Sequence, residues 1–209
     1  MPRISYTDPA SVTDPVQAGY LQDARLHGTP RLESQSIRAH VPAVLETFSQ
    51  AWQRTFREGV LDHNVKELAR VFIAKSLDCG YCAGQRSHVA AAGGLTEREY
   101  DDVIEFRESA VLNEREKTAL RWAEAIAWDP ALADDELWAQ LHQHFTEPEL
   151  VELGFFIGLT MGQQRFLKTL GLRHGELSSE SLAGLAPDVA AAVAAGLGSG
   201  NSRSRTGVI

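Results

Sequence analysis

The sequence lacks an excess of basic residues. Its 209 residues include 20 Lys and Arg against 28 Asp and Glu, which gives a formal net charge of −8 at pH 7. A domain that binds nucleic acid normally shows a basic excess or a basic stripe, and anionic membrane surfaces attract the same kind of domain. The charge balance therefore argues against DNA, RNA and membranes as partners.

The sequence also lacks a long apolar run, and its first residues predict no leader. No apolar run approaches the roughly 18 residues of a membrane span, and the start from Met1 to Tyr6 has none of the apolar character of a signal peptide. We therefore expect a cytoplasmic protein. The composition, 44% hydrophobic and 23% charged, is typical of a globular chain, and the length favours one domain with extensions.

Cysteine is scarce. The two cysteines stand three apart, as Cys79-Gly80-Tyr81-Cys82, and in a reducing compartment such a pair indicates redox or metal chemistry. A zinc site would need two further ligands, such as His63 and His88, because there is no second cysteine pair. Two ordinary buried cysteines are another alternative, since free cysteine behaves as a small hydrophobic residue.

Signals for β-strands are missing as well. No segment alternates apolar and polar residues over a sustained stretch, and no hairpin dipeptide separates β-branched runs. Apolar residues recur instead at helical spacing, for example Val44, Leu45, Phe48, Trp52 and Phe56. The sequence predicts an all-α fold and disfavours a thioredoxin fold, in which the cysteine motif follows a strand.

Two helices are predicted around the cysteine motif. Asn64 can cap a largely buried helix that runs to about Leu77, and Asp78 can cap a second helix from Cys79 to Ala92. On the buried helix, at least one charged side chain should find a partner or a cavity. The charged residues of that helix are Lys66, Glu67, Arg70 and Lys75.

The chain divides into three predicted regions. Residues 1–39 are interrupted by prolines and predict an N-terminal arm with at most one short helix. Residues 40–175 form the helical domain, in which capping boxes at Thr96, Asn113 and Thr146 mark helix starts. Residues 176–209 form a C-terminal extension, the last part of which has too little apolar surface to be ordered alone.

The spacing of the cysteines suits thiol chemistry. Residues at i and i+3 on a helix are neighbours, so Cys79 and Cys82 can approach within disulfide reach in a first turn. A helix N-terminus favours a thiolate over a thiol, and Arg86, four residues after Cys82, would add positive charge. His88 faces another side of the predicted helix and is a poor proton partner for Cys82.

The segment from Lys66 to Thr96 resembles the redox branch of the carboxymuconolactone decarboxylase and alkylhydroperoxidase D-like family. That branch carries Glu, eleven residues, Cys-x-x-Cys, three residues and then His. Here Glu67 precedes Cys79 by twelve positions, the cysteine pair matches, and Arg86 occupies the histidine position. The likeness extends over about residues 40–172.

The resemblance implies an all-helical, oligomeric protein that reduces hydroperoxides. In the scheme it implies, Cys82 attacks the hydroperoxide, Cys79 resolves the product to a disulfide, and a dithiol donor protein reduces that disulfide. Glu67 would belong to a proton relay that serves the thiol and the departing oxygen. We expect a homo-oligomer, with no cofactor and no metal.

Arg86 alters the implied relay. A guanidinium stabilises a thiolate, but it keeps its proton near neutral pH and therefore cannot shuttle protons. Glu67 can pair with Arg86 as a buried structural bridge, or act as the general base. His63, four residues before Glu67, is a candidate to carry the proton in place of the missing histidine.

Two alternatives stay open. The same family includes decarboxylases that act on small carboxylated ring compounds without the cysteine pair. The chain can also be a non-catalytic helical member, whose thiols would then have a pKa near the ordinary value of about 8.5.

Overall fold

Every regular element of residues 2–177 and 181–196, the part of the chain described by a computed structural model, is helical. No strand occurs among these residues. The all-α prediction is confirmed.

The helices follow one another along the chain, and the longest connection, residues 171–186, joins the last two α-helices. Two 3₁₀ turns, Pro9–Ser11 and Pro130–Leu132, and a π-helical turn, Gln53–Arg57, lie between them. The α-helices are α1 (Pro15–Leu26), α2 (Leu32–Arg38), α3 (Pro42–Trp52), α4 (His63–Ser76), α5 (Gly80–Ala83), α6 (His88–Ala92), α7 (Glu97–Asp102), α8 (Glu114–Ala127), α9 (Asp135–His144), α10 (Glu147–Leu170) and α11 (Pro187–Ala194).

Helix α4 lies at the centre of the fold. It packs against α8 and α10, and every residue from Val65 to Ala74 is buried, because apolar residues surround most of its circumference. Its buried charges are paired, as predicted. Lys66 contacts Glu152 at 2.6 Å, and the Arg70 guanidinium contacts a carboxylate of the same helix.

Local capping signals place several helix starts correctly. The capping boxes at Thr96, Asn113 and Thr146 are all formed. The predicted cap of α4 is wrong by two residues, because Asp62 accepts the backbone N–H of Asn64 and the helix begins before it. Both residue types cap well, so the sequence alone did not separate them.

The prediction of an N-terminal arm with at most one helix is wrong. Residues 1–39 contain α1 and α2, and all seven residues of α2 are buried. Several of its buried polar side chains have hydrogen-bond partners: the Gln35 amide donates to Ser49 at 2.9 Å, and Arg38 donates to Gln35 and Gln163. A hydrophobic pattern does not reveal such a helix.

The first part of the C-terminal extension packs beside the cysteine motif. The N–H of Arg86 donates to the carbonyl of Gly184 at 2.8 Å, and the N–H of Ala186 donates to that of Gly84 at 2.9 Å. A Cβ on Gly28 would lie 2.8 Å from the Cα of Gly184, so this crossing requires glycine. The predicted disordered end lies outside the described residues.

None of the helices in the described residues combines the length and the apolar character that crossing a membrane requires.

Candidate active site

The cysteine pair lies at the start of α5, directly after α4. Cys79 is the N-cap of α5, and its Sγ accepts the backbone N–H of Cys82 at 3.4 Å. The two sulfur atoms lie near disulfide distance, with their Cα atoms 5.3 Å apart. Both side chains are buried. The predicted proximity of the two thiols is confirmed.

The prediction of one continuous helix from Cys79 to Ala92 is wrong. Helix α5 ends at Ala83, residues 84–87 form a loop, and α6 begins at His88. Asp78 does not cap a helix; its φ is +51°, a left-handed conformation that Asp tolerates better than most residues.

The backbone groups of the loop after α5 are bonded to other parts of the chain, in place of the hydrogen bonds that a continuous helix would make. Arg70 donates to the carbonyls of Cys82 and Gln85, at 2.9 and 2.7 Å, and the C-terminal extension bonds Gly84 and Arg86. Because backbone groups need a partner when buried, these distant contacts stabilise the break in the helix.

Arg86 does not pair with Glu67, so the predicted Glu67–Arg86 bridge is wrong. Its guanidinium donates to both carboxylate oxygens of Glu97, at 2.9 and 2.8 Å, and stacks on the Tyr100 ring at 4.1 Å. With the helix broken at residues 84–87, Arg86 no longer lies one helical turn beyond Cys82. Its role as a thiolate stabiliser stays a prediction.

Glu67 pairs instead with Arg70, three residues further along α4. Two hydrogen bonds of 2.6 and 2.8 Å join the buried guanidinium and carboxylate. Burial alone would lower the pKa of Arg70, but the Glu67 carboxylate more than offsets this and raises it. Because Arg70 also donates to the carbonyl of Cys82, it connects Glu67 to the cysteine pair. Its i,i+3 spacing from Glu67 is the signal in the sequence that indicates this pair.

A polar cluster surrounds Glu67. Its Oε1 accepts the backbone N–H of Ser87 at 3.0 Å and the hydroxyl of Tyr100 at 3.2 Å. His63 joins through Ser87, whose Oγ lies 2.7 Å from His63 Nε2, while His63 Nδ1 lies 2.7 Å from the carbonyl of Phe56. The structure therefore brings together Glu67 and His63, two of the predicted site residues.

The hydrogen bonds of His63 fix its tautomer. A carbonyl only accepts, so Nδ1 carries the proton toward Phe56, and Nε2 accepts the hydroxyl of Ser87. Burial lowers the pKa of His63, and the nearby Glu67 carboxylate opposes that shift only in part. At neutral pH His63 is therefore a neutral imidazole with an acceptor nitrogen facing Ser87.

A small cavity of about 30 Å³ adjoins the motif, and Cys82, but not Cys79, is one of its wall residues. Helices α2, α3 and α10 supply most of the other walls. Among these residues Arg38 stacks on the Phe48 ring at 3.6 Å, and burial lowers its pKa to about 9. A larger cavity of about 660 Å³ lies between α1 and α3, but none of the predicted site residues lines it.

His174 contacts Tyr81, which lies between the two cysteines, and is fully buried. Its ring stacks on Tyr81 with centroids 4.4 Å apart, and its Nε2 lies 2.9 Å from the Tyr81 carbonyl. Burial is the largest effect on its pKa, which is lowered to about 3. The single histidine in a polar stretch gave no sequence signal for this contact.

This burial predicts a loss of stability in acid. Between pH 6.5 and about 3 the unfolded state protonates His174 while the folded state does not, so the free energy of unfolding decreases as the pH falls through 6.5. The contribution of His174 between pH 7 and pH 5 is about 2 kcal/mol. Urea titrations at pH 7 and pH 5 measure how much the free energy of unfolding falls between these pH values. This fall should be smaller by about 2 kcal/mol in His174→Gln than in the wild type. The exposed His142, changed to Gln, is the matched control, and an equal change in both variants would contradict the assignment.

The zinc site considered as an alternative finds no matching arrangement of side chains in the described residues. His63 is bonded to Phe56 and Ser87, and residues 2–177 and 181–196 contain no group of three or more His, Cys, Asp or Glu side chains placed to hold a metal ion.

Sequence comparison finds relatives over the central helices. Residues 42–125 match the model of the carboxymuconolactone decarboxylase family. An uncharacterized protein of Mycobacterium tuberculosis H37Rv is 34% identical over 101 residues, which are 48% of this chain and 36% of that protein. The uncharacterized protein YnjA of Escherichia coli K12 is 32% identical over 106 residues, 51% of this chain and 58% of YnjA. The matches therefore span about a third to somewhat over half of these relatives.

Solved structures share the fold. The alkylhydroperoxidase AhpD core of an uncharacterized peroxidase-related protein from Ralstonia eutropha JMP134 superposes with a TM-score of 0.66 at 16% identity, covering 81% of this chain and 90% of that chain. The debrominase Bmp8, as a cysteine-to-alanine variant in complex with 2,3,4-tribromopyrrole, gives a TM-score of 0.64 at 19% identity, covering 78% and 87%. At these identities the likeness concerns the fold alone.

Proposed function

Over residues 42–125 the chain belongs to the carboxymuconolactone decarboxylase family, and from this premise we propose that it is a thiol-based oxidoreductase that reduces hydroperoxides with a dithiol donor. The observation that carries the proposal is the buried pair of cysteines, close enough to bond, with one of them on the wall of a cavity. An AhpD core among the structures that share the fold supports the same chemistry.

The cavity distinguishes the two cysteines. Cys82 lines it, so a small molecule inside contacts this residue. Cys79 lies outside the cavity wall, and its sulfur accepts the N–H of Cys82. Cys82 is therefore the nucleophile and Cys79 the resolving thiol, as the resemblance implied.

The reaction balances in three steps. The Cys82 thiolate attacks one peroxide oxygen, the O–O bond breaks, and a sulfenic acid and an alkoxide form. The alkoxide takes the proton that the thiol gave up and leaves as an alcohol. The Cys79 thiol then condenses with the sulfenic acid, releasing water and forming the disulfide. A dithiol donor restores both thiols by exchange and is itself oxidised to a disulfide.

In this scheme we assign the handling of the proton to the polar cluster around Glu67, which Arg70 joins to the carbonyl of Cys82. His63 is neutral with Nε2 as an acceptor, and the Ser87 hydroxyl beside it can pass a proton in either direction. Glu67 positions Ser87 through its backbone N–H and positions Arg70 through two hydrogen bonds. In this arrangement His63 is the proton acceptor and Glu67 a positioning residue.

The test measures how fast peroxide consumes the thiols. Reduced wild-type protein is mixed with hydrogen peroxide or tert-butyl hydroperoxide, quenched with acid at set times, and its remaining thiols are titrated. We expect oxidation faster than that of free cysteine at the same pH, with both thiols lost for one peroxide, because the site activates Cys82. Cys82→Ser should react no faster than free cysteine.

The same measurement separates the alternatives. A wild-type rate no greater than that of free cysteine would rule out the peroxidase, and ordinary alkylation of Cys82 would then favour a non-catalytic scaffold. Conversion of a carboxylated lactone by a Cys79→Ala, Cys82→Ala double variant would favour the decarboxylase. The homo-oligomer, the cytoplasmic location and the dithiol donor protein stay predictions.

A further inference from the structure

Three buried polar atoms near Cys82 have no hydrogen-bond partner in the described part of the chain. They are Arg38 Nε, Trp52 Nε1 and Gln164 Oε1, on side chains that are 4%, 5% and 4% exposed. All three residues line the cavity that Cys82 also lines. Unpaired buried polar atoms are uncommon in proteins, so three around one cavity point to a ligand.

The two donors are held by contacts that leave their N–H groups unpaired. The terminal nitrogens of Arg38 donate to the side-chain oxygens of Gln35 and Gln163, each at 2.9 Å, and only Nε remains. The Trp52 indole packs against neighbouring aromatic rings, with Phe156 at a centroid distance of 5.6 Å.

The acceptor is fixed in the same way. The amide nitrogen of Gln164 donates to the backbone carbonyl of Arg70 at 2.9 Å and to Thr160 Oγ1 at 3.1 Å. The first of these bonds fixes the orientation of the amide, because the Arg70 carbonyl only accepts and so requires the nitrogen end on that side. The oxygen end is therefore the one without a partner.

The volume of the cavity limits what it holds. One water-sized atom needs roughly 10–15 Å³ of such volume, so a cavity of about 30 Å³ has room for about two oxygen-sized atoms. A peroxide unit has two linked oxygens, both of which accept hydrogen bonds, and its terminal O–H donates one. Two donors and one acceptor around a space for two atoms match this unit.

We propose that the cavity binds the O–O unit of the oxidant, with Arg38 and Trp52 donating to it and Gln164 accepting from it, and that the substrates are hydrogen peroxide and hydroperoxides with a small organic group. The assignment rests on the proposed peroxidase function. When Cys82 attacks one oxygen, the electron pair of the broken O–O bond stays on the other oxygen. The two N–H donors stabilise that developing charge until the proton from the thiol arrives.

The variant Trp52→Phe removes one donor and keeps an aromatic ring in place. We expect the second-order rate constant for oxidation by hydrogen peroxide to fall about tenfold, the usual effect of losing one such hydrogen bond. Reduction of the protein disulfide by dithiothreitol should keep its wild-type rate, because that reaction has no O–O unit. Trp128→Phe, which changes an exposed tryptophan away from the cavity, is the matched control.

A second measurement on the wild-type chain tests the size limit. Rate constants for hydrogen peroxide and for cumene hydroperoxide are each divided by that of free cysteine with the same oxidant. We expect the normalised constant to be at least about tenfold larger for hydrogen peroxide, because a bulky group overfills the cavity.

The outcomes separate this assignment from the proposed function. A wild type no faster than free cysteine with every peroxide would overturn both. A fast wild type whose Trp52→Phe variant is equally fast, or that shows no preference for the smaller peroxide, would overturn the peroxide subsite alone. Equal slowing of the dithiothreitol reaction in Trp52→Phe would assign the tryptophan a structural role and also overturn the subsite.

Discussion

Replacing Arg70 by methionine is expected to lower the free energy of unfolding by about 3–5 kcal/mol at pH 7. The guanidinium is buried, and it is bonded to both carboxylate oxygens of Glu67 and to the carbonyls of Cys82 and Gln85. Methionine fills much of the same space but leaves the Glu67 carboxylate buried without its cation. It also leaves the carbonyls of Cys82 and Gln85 without the donor that Arg70 supplies.

The control is a second arginine–glutamate pair of the same chain. Arg107 and Glu124 are also joined by a hydrogen bond, but the Arg107 side chain is 52% exposed. Solvent screening makes such a pair worth little, so Arg107→Met should lower the free energy of unfolding by about 1 kcal/mol or less. Urea unfolding followed by circular dichroism measures both variants under one set of conditions.

Two further variants make the result interpretable. Arg70→Lys keeps the charge but loses the paired contacts, so its stability should lie between those of wild type and Arg70→Met. Adding Glu67→Gln to Arg70→Met removes the unpaired charge and should restore part of the loss. Similar losses in Arg70→Met and Arg107→Met, or no recovery in the double variant, would contradict the account of the buried pair.

The features of the fold that the sequence predicted are the short-range ones. The capping boxes at Thr96, Asn113 and Thr146 depend on residues three apart, and all three are formed. The helix predicted from Cys79 to Ala92 breaks because residues 84–87 bond to Arg70 and to the C-terminal extension. Contacts between segments so far apart in the chain leave no trace in local spacing.

In the candidate site, too, the sequence predicted the short-range features and missed the contacts between distant segments. The number of positions from Glu67 to Cys79 and the spacing of the two cysteines identify the motif. Sequence spacing is sufficient here because Glu67 lies in α4 and the cysteines follow directly after that helix. The cavity beside Cys82 was not predictable, since α2 supplies part of its wall and buries polar side chains such as Arg38. Their burial depends on individual hydrogen bonds to α3 and α10, and hydrophobic periodicity does not register these.

The largest expected effect on chemistry is a difference between the two cysteines. Because Cys82 lines the cavity and Cys79 does not, Cys79→Ser should still react with hydrogen peroxide but should stop at the sulfenic acid. No second thiol is then near enough to condense with it. Dimedone added during the reaction should label Cys82, and mass spectrometry of the digested protein locates the adduct. Turnover with a dithiol donor should fall in both single variants, but oxidation itself should be lost only in Cys82→Ser.

Trapping in the wild-type chain provides the control for this asymmetry. There the buried thiol of Cys79, whose Cα is 5.3 Å from that of Cys82, should condense with the sulfenic acid before dimedone reacts, so little label should form. Label on Cys79 of Cys82→Ser, together with an unreactive Cys79→Ser, would reverse the order of the two thiols. That outcome would also remove the cavity from the reaction, because the attacking sulfur would then belong to the cysteine that does not line it.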